Sequence, residues 1–148
     1  MKALIQRVKQ ASVEINKAQY SIINSGLLIL VGIHKNDTDT DMKYIVDKSI
    51  NLRIFSDDNG KFNYSALDIK AELLIVSQFT LYADTSKGRR PSFFESALPD
   101  SAELLYNNTV KEYNKTGLII RTGEFGANMK IKLTNDGPVT IMLDSLMD

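Results

Sequence analysis

Two short segments carry polar groups where a plain core would not need them. The first is Ser77-Gln78-Phe79-Thr80-Leu81-Tyr82-Ala83-Asp84, which follows the apolar run Leu73-Leu74-Ile75-Val76. A buried strand ending here would present hydroxyl, amide and backbone N–H groups able to bind a substrate's polar atoms and receive a developing oxyanion. The same groups can also do no more than satisfy neighbouring backbone. The Thr80 hydroxyl is a candidate nucleophile, but it needs activation and no base is adjacent in the sequence. The second segment is Asn135-Asp136-Gly137-Pro138-Val139-Thr140. Its Gly-Pro pair joins a residue free in φ to one that lacks an N–H and takes a cis peptide at modest cost. Ordinary turns use the same pair. Between the two lies the densest basic cluster, Lys87-Gly88-Arg89-Arg90, which reads as a phosphate contact or as a solvated loop.

The rest of the composition removes several kinds of chemistry. Cysteine is absent, so disulfides, thiolate nucleophiles and cysteine metal sites are excluded. His34 is the single histidine. It stands between Leu27-Leu28-Ile29-Leu30-Val31-Gly32-Ile33 and Lys35-Asn36-Asp37-Thr38, at a strand end or loop where an exposed histidine needs no special role. The carboxylates are scattered without ligand spacing, and neither metal nor cofactor is expected. Net charge is zero, so any nucleic-acid contact must come from a local patch, and no DNA partner is expected. No apolar run reaches bilayer length and charge appears by Lys2, so neither a membrane partner nor a signal peptide is expected. The expected compartment is the cytoplasm.

The elements that must position these groups follow from hydrophobic periodicity. At 148 residues, with 43% hydrophobic and 24% charged side chains, the chain is the size of one domain, 1–148. Alternation at Ala3 to Val8 and at Val13-Glu14-Ile15 predicts strands, and Tyr20 to Ile23 continues them. The unbroken apolar run Leu27 to Ile33 predicts a strand buried on both faces. Met42, Ile45, Val46, Ser49 and Ile50 change the period to that of a helix, entered through Asp37-Thr38-Asp39-Thr40-Asp41. Asp57-Asp58-Asn59-Gly60 reads as a turn and Glu72 to Phe79 as a strand. A second helix follows Pro99 through Tyr113, with Gly117 placed to cap it. Leu118 to Arg121, Met129 to Leu133 and Val139 to Leu143 read as strands, with Asn135 to Pro138 breaking the last two apart. The fold expected is α+β: a curved, barrel-like antiparallel sheet with two main helices packed outside.

Taken together, the Ser-Gln-Phe-Thr segment, the Asn-Asp-Gly-Pro-Val-Thr segment and Lys87 to Phe93 between them resemble the D-aminoacyl-tRNA deacylase (D-tyrosyl-tRNA deacylase) family. Ile5-Gln6-Arg7-Val8, Leu27 to Gly32, Leu52-Arg53-Ile54-Phe55 and Phe125-Gly126-Ala127-Asn128-Met129 extend the likeness from end to end. It departs at Asn16-Lys17 and Asn24-Ser25-Gly26, which carry fewer glycines than the family's hairpin turns. The resemblance implies hydrolysis of D-aminoacyl-tRNA, and of glycyl-tRNA mischarged on tRNA-Ala. It implies a homodimer in which Gly137-Pro138, with a cis bond, enters the other subunit's site and blocks the direction of an L side chain. Arg7 would hold that loop and Met129 would shape the pocket floor. In this picture the amides of Phe79 and Thr80 stabilise the oxyanion while Ser77 and Gln78 fix the adenosine. Either Thr80 or the 2′-OH of the terminal adenosine drives the attack, and the resemblance favours the 2′-OH. Lys87, Arg89 and Arg90 become candidates for the tRNA phosphates. Two rivals stand beside the enzyme: a binding module for a nucleotide or free D-amino acid, and an inactive structural dimer.

Overall fold

The computed structural model describes residues 1–146. Its elements in chain order are β1 (Lys2–Ile15), β2 (Ala18–Ile23), β3 (Gly26–Gly32), α1 (Asp39–Asn51), β4 (Phe55–Ser56), β5 (Phe62–Tyr64), β6 (Glu72–Ser77), α2 (Pro99–Asn114), β7 (Ile120–Thr122) and β8 (Lys130–Asp144). A one-turn 3₁₀ segment, Phe79–Tyr82, follows β6. The main sheet runs β2-β1-β3-β6-β7, with β8 on the remaining edge of β1. β1 is long enough to serve three neighbours: Lys2 to Val8 pair with β3, Ala11 to Ile15 pair with β2, and β8 runs along almost its whole length. The Ser21 hydroxyl donates to the Thr122 carbonyl at 2.8 Å, tying β2 to β7 and curling the sheet into a nearly closed barrel.

Side-chain alternation decides what lies inside. Along β3 and β6, Leu27, Ile29, Leu73 and Ile75 face the helices, while Leu28, Leu74 and Val76 face the barrel interior with Val8, Val13 and Ile23. Both faces of these two central strands are therefore buried, as the unbroken apolar run at Leu27 predicts. Helix α1 buries Met42, Ile45, Val46, Ser49 and Ile50, the five positions its spacing picks out. Its entry is closed by Asp41, whose carboxylate accepts both the Thr38 N–H and the Thr38 hydroxyl at 2.8 Å. Burial works to raise the Asp41 carboxyl pKa, and hydrogen bonds from Ser145 and Thr38 outweigh it, holding the group below its usual value. The helices meet through Ser49 Oγ and the Tyr113 hydroxyl, 2.7 Å apart in the core.

The structure departs from the sequence-based expectation in four places. The sheet is mixed, because β3–β6 and β6–β7 pair in parallel. The connections that carry α1 and α2 return the chain to the same end of the sheet, as parallel neighbours require. The early strands are one strand, β1, bent by a register shift at Val13/Glu14. The last two are likewise one strand, β8, and Asp136 to Val139, beside the predicted break, bulge from it without ending it. Leu133, expected to alternate inward, is exposed on this edge strand. At the β1–β2 hairpin, Asn16 and Lys17 hold φ of 53° and 65°, the conformation in which a glycine costs least.

Candidate active site

β6 delivers the first chemical segment to one end of the barrel. Gln78 donates its N–H to the Val31 carbonyl at 2.7 Å, and the chain then leaves the strand for the 3₁₀ turn. Leu81 N–H bonds the Gln78 carbonyl at 3.2 Å and Ala83 N–H the Thr80 carbonyl at 3.1 Å. The amides of Phe79 and Thr80 precede the first such bond, so the turn itself offers them no acceptor. The Ser96 hydroxyl fixes the turn from outside, donating to the Phe79 carbonyl at 3.1 Å. The Gln78 side-chain amide donates to the Thr80 hydroxyl. An amide is not a base, so this contact orients the hydroxyl without activating it.

A cleft of about 580 Å³ opens beside this turn. Its lining includes Ser77, Gln78 and Phe79 from the end of β6 and the turn, Phe93 and Leu98 from the segment before α2, and Met129 just before β8. Thr80 stands exposed beside the cleft and is not part of its lining. Phe79 is 57% exposed and meets Phe93 edge-on, with ring centroids 4.9 Å apart. Met129 packs against Gly123, where an added Cβ would come within 2.5 Å of its sulfur. A side chain at 123 would force Met129, which lines the cleft, to shift.

Gly137 and Pro138 are not in that cleft. Gln6 pairs with Thr140 and Val8 with Asn135, so the four residues 136–139 bulge out opposite the single residue Arg7. Arg7 is only 8% exposed, and its guanidinium donates to the carbonyls of Asp136 (2.9 Å) and Ile54 (2.7 Å). Asn135 closes the bulge by accepting the Val139 N–H and donating to the Thr140 hydroxyl, both at 2.8 Å. The Gly137–Pro138 peptide is cis and Gly137 has φ of 140°. A Cβ on Gly137 would meet Val139 Cγ2 at 2.8 Å, so only glycine fits. Arg7 is level with Leu27 and Leu73, whereas Ser77 is level with Val31 and Ala3. The Gly-Pro bulge is thus three strands over and four residues along from Ser77, roughly 14 Å across and 13 Å lengthwise.

Lys87, Arg89 and Arg90 are exposed on the loop 85–91, closed by reciprocal backbone bonds between Asp84 and Ser92 (2.8 and 2.9 Å). His34 is locally engaged: Nδ1 accepts the Asn36 N–H at 3.1 Å, so Nε2 carries the proton it shares with Glu95 at 2.9 Å. Lys35 and His34 together hold the exposed Glu95 carboxyl below the usual range. Among the described residues no cluster of three or more histidines and carboxylates could hold a metal ion, and no helix is long and apolar enough to cross a membrane. Ser96 escaped sequence reasoning, since a lone serine in Glu95-Ser96-Ala97 carries no signal of the turn it braces. Ile54 escaped as well, because its contribution is a backbone carbonyl.

A family model described as D-Tyr-tRNA(Tyr) deacylase matches residues 4–144. The chain belongs to that family. Its deacylase relatives include the D-aminoacyl-tRNA deacylase of Thermosipho africanus, 57% identical over 98% of this chain and 97% of that one. The protein of the same name from Finegoldia magna is 54% identical over 98% of each chain. A solved structure titled c-Myc DNA unwinding element binding protein is 42% identical and superposes with a TM-score of 0.92, covering 97% of this chain and 98% of that one. Another, titled a probable eukaryotic D-amino acid tRNA deacylase, is 18% identical with a TM-score of 0.83, covering 96% of this chain and 97% of that one, and shares the fold. The α+β barrel with two outer helices is therefore the deacylase fold, and the family is one of enzymes.

Proposed function

We propose that this chain hydrolyses the ester between a D-amino acid and the 3′ end of tRNA, as a cytoplasmic homodimer that proofreads chirality. Family membership supports the reaction, and one geometric observation supports the second copy and the chiral selection. The Gly137-Pro138 bulge is exposed, firmly built by Arg7 and Asn135, and far from its own cleft. A second copy would bring such a bulge to each cleft. Its backbone carbonyls would then occupy the space an L side chain needs, while a D side chain points elsewhere. Glycine has no side chain to refuse, so glycyl-tRNA mischarged on tRNA-Ala is a second substrate.

In the chemical step a water oxygen attacks the ester carbonyl carbon, and the carbonyl electron pair moves onto oxygen. The amides of Phe79 and Thr80 receive that oxyanion. As the intermediate collapses, the bond to the ribose 3′ oxygen breaks, and that oxygen takes up the proton given by the water. Free D-amino acid and the tRNA 3′-OH remain. The neighbouring 2′-OH positions and relays, because the Thr80 hydroxyl faces an amide and the one imidazole is engaged with Glu95. Ser77 and Gln78 orient the adenosine, Met129 shapes the floor, and Lys87, Arg89 and Arg90 meet tRNA phosphates. The DNA-binding title of one solved relative does not transfer on fold alone, and a chain of zero net charge offers duplex DNA little general attraction.

The deciding experiment is release of amino acid from matched D- and L-aminoacyl-tRNA at low salt with a chelator present. Fast release from the D substrate alone is expected, and Pro138→Ala should begin to release the L substrate. No release from either would leave the binding-module reading. Unchanged discrimination in Pro138→Ala would remove the Gly-Pro bulge from the selectivity mechanism.

A further inference from the structure

Phe94 and Leu98 are the most exposed large apolar side chains among the described residues, at 78% and 76%. Both stand on the segment that joins the basic loop 85–91 to α2. That segment is firmly anchored: the Glu95 carbonyl accepts the Lys35 N–H at 3.0 Å, and Ala97 N–H donates to the Ile33 carbonyl at 2.9 Å. The exposure is therefore a property of a fixed backbone. The Lys35 ammonium lies 4.1 Å from the centroid of the Phe94 ring and is held there by Glu95 Oε1 at 3.0 Å. Phe93, one residue earlier, turns the other way into the cleft and meets Phe79.

The order along the chain is thus three free cations, an exposed ring with an ammonium beside it, and the cleft. Unpaired RNA presents the matching sequence of features, with phosphates for the cations and π faces for the ring. We infer that Phe94 is a stacking platform for a base of the unpaired 3′ strand just before the terminal adenosine, with Lys35 beside it and Leu98 edging the path into the cleft. This rests on the deacylase reading of the cleft and adds how the RNA part of the substrate is held. Phe94 makes no contact with the ester, so its contribution falls on binding and not on the bond-breaking step.

The test compares the unmodified RNA tetranucleotide ACCA with adenosine monophosphate as ligands, by titration calorimetry. Alanine substitution of a stacking aromatic predicts that Phe94→Ala weakens the tetranucleotide about tenfold. Adenosine monophosphate should bind as before, Phe94→Trp should restore the tetranucleotide, and in hydrolysis of D-aminoacyl-tRNA Phe94→Ala should raise KM with kcat held. Unchanged tetranucleotide affinity, or an equal loss for both ligands, would overturn the platform. So would a change in oligomeric mass in Phe94→Ala, which would give the ring to a contact between copies. The two readings fail separately. A wild-type chain that deacylates while Phe94→Ala binds the tetranucleotide normally keeps the reaction and loses the platform. A chain that binds the tetranucleotide through Phe94 yet releases nothing keeps the platform and loses the reaction.

Discussion

Replacing Arg7 by methionine tests whether the Gly-Pro bulge depends on the barrel behind it. Methionine keeps much of the aliphatic bulk and removes the guanidinium that bonds the carbonyls of Ile54 and Asp136. The Ile54 bond is buried, so its carbonyl loses its partner with no access to water, at a cost of about 1–3 kcal/mol. The Asp136 carbonyl is partly exposed and rehydrates, which limits that loss to about 1 kcal/mol. Together these give roughly 2–4 kcal/mol, or a melting temperature lowered by about 5–15 °C for a chain of this length. Thermal unfolding at one fixed protein concentration measures the first effect, since mass action would shift the midpoint of a dimer. The ratio of kcat/KM for D- and L-aminoacyl-tRNA measures the second, and it should fall about tenfold as the bulge loosens, equivalent to about 1.4 kcal/mol between the two transition states. A variant that melts with the wild type refutes the anchoring argument. One that melts early yet keeps full discrimination shows that Asn135 and Val139 suffice to hold the bulge.

Three further outcomes are expected. Thr80→Ala should retain kcat within about an order of magnitude, whereas loss of 10³-fold or more would assign it the nucleophile's part. The logarithm of tRNA affinity should fall with log salt at a slope of about −2 to −3 if Lys87, Arg89 and Arg90 each neutralise a phosphate, and replacing all three with serine should flatten it by about that amount. Ser49→Ala should destabilise the fold by about 1–3 kcal/mol because the Tyr113 hydroxyl is left buried alone. Tyr113→Phe should cost less in chemical denaturation, since Ser49 Oγ keeps its bond to the Val46 carbonyl at 2.9 Å, and the reverse order would refute this.

What could be read from the sequence was what repeats at a fixed period. The buried face of α1 follows from spacing alone, and Leu27 to Ile33 announces a strand covered on both sides. Pro99 opens α2, and Asp57 to Gly60 turns between β4 and β5 as their residue types require. Direction of pairing was not legible, because β3 and β6 present the same apolar run whether parallel or antiparallel. Nor was the continuity of β8, since Gly137-Pro138 resembles a strand terminator unless Arg7 is known to lie opposite. In the candidate site the polar run Ser77 to Thr80 was visible by its composition. The brace supplied by Ser96 and the carbonyl supplied by Ile54 depend on tertiary placement and left no mark.

The pairing of β1 with β8 bears on how the protein comes off the ribosome. Lys2 lies opposite Asp144 and Glu14 opposite Lys130, so β1 waits for β8, more than a hundred residues later in the chain. Ladders this distant in sequence are slow to close, and until β8 arrives one edge of β1 stands open to other chains. The helices, the β3–β6 pair and the turn at Phe79 are all complete in sequence before that moment. The bulge opposite Arg7 is not. A chain interrupted before β8 would therefore carry the residues proposed for hydrolysis without those proposed for refusal, which makes completion of the last strand a condition for selective action.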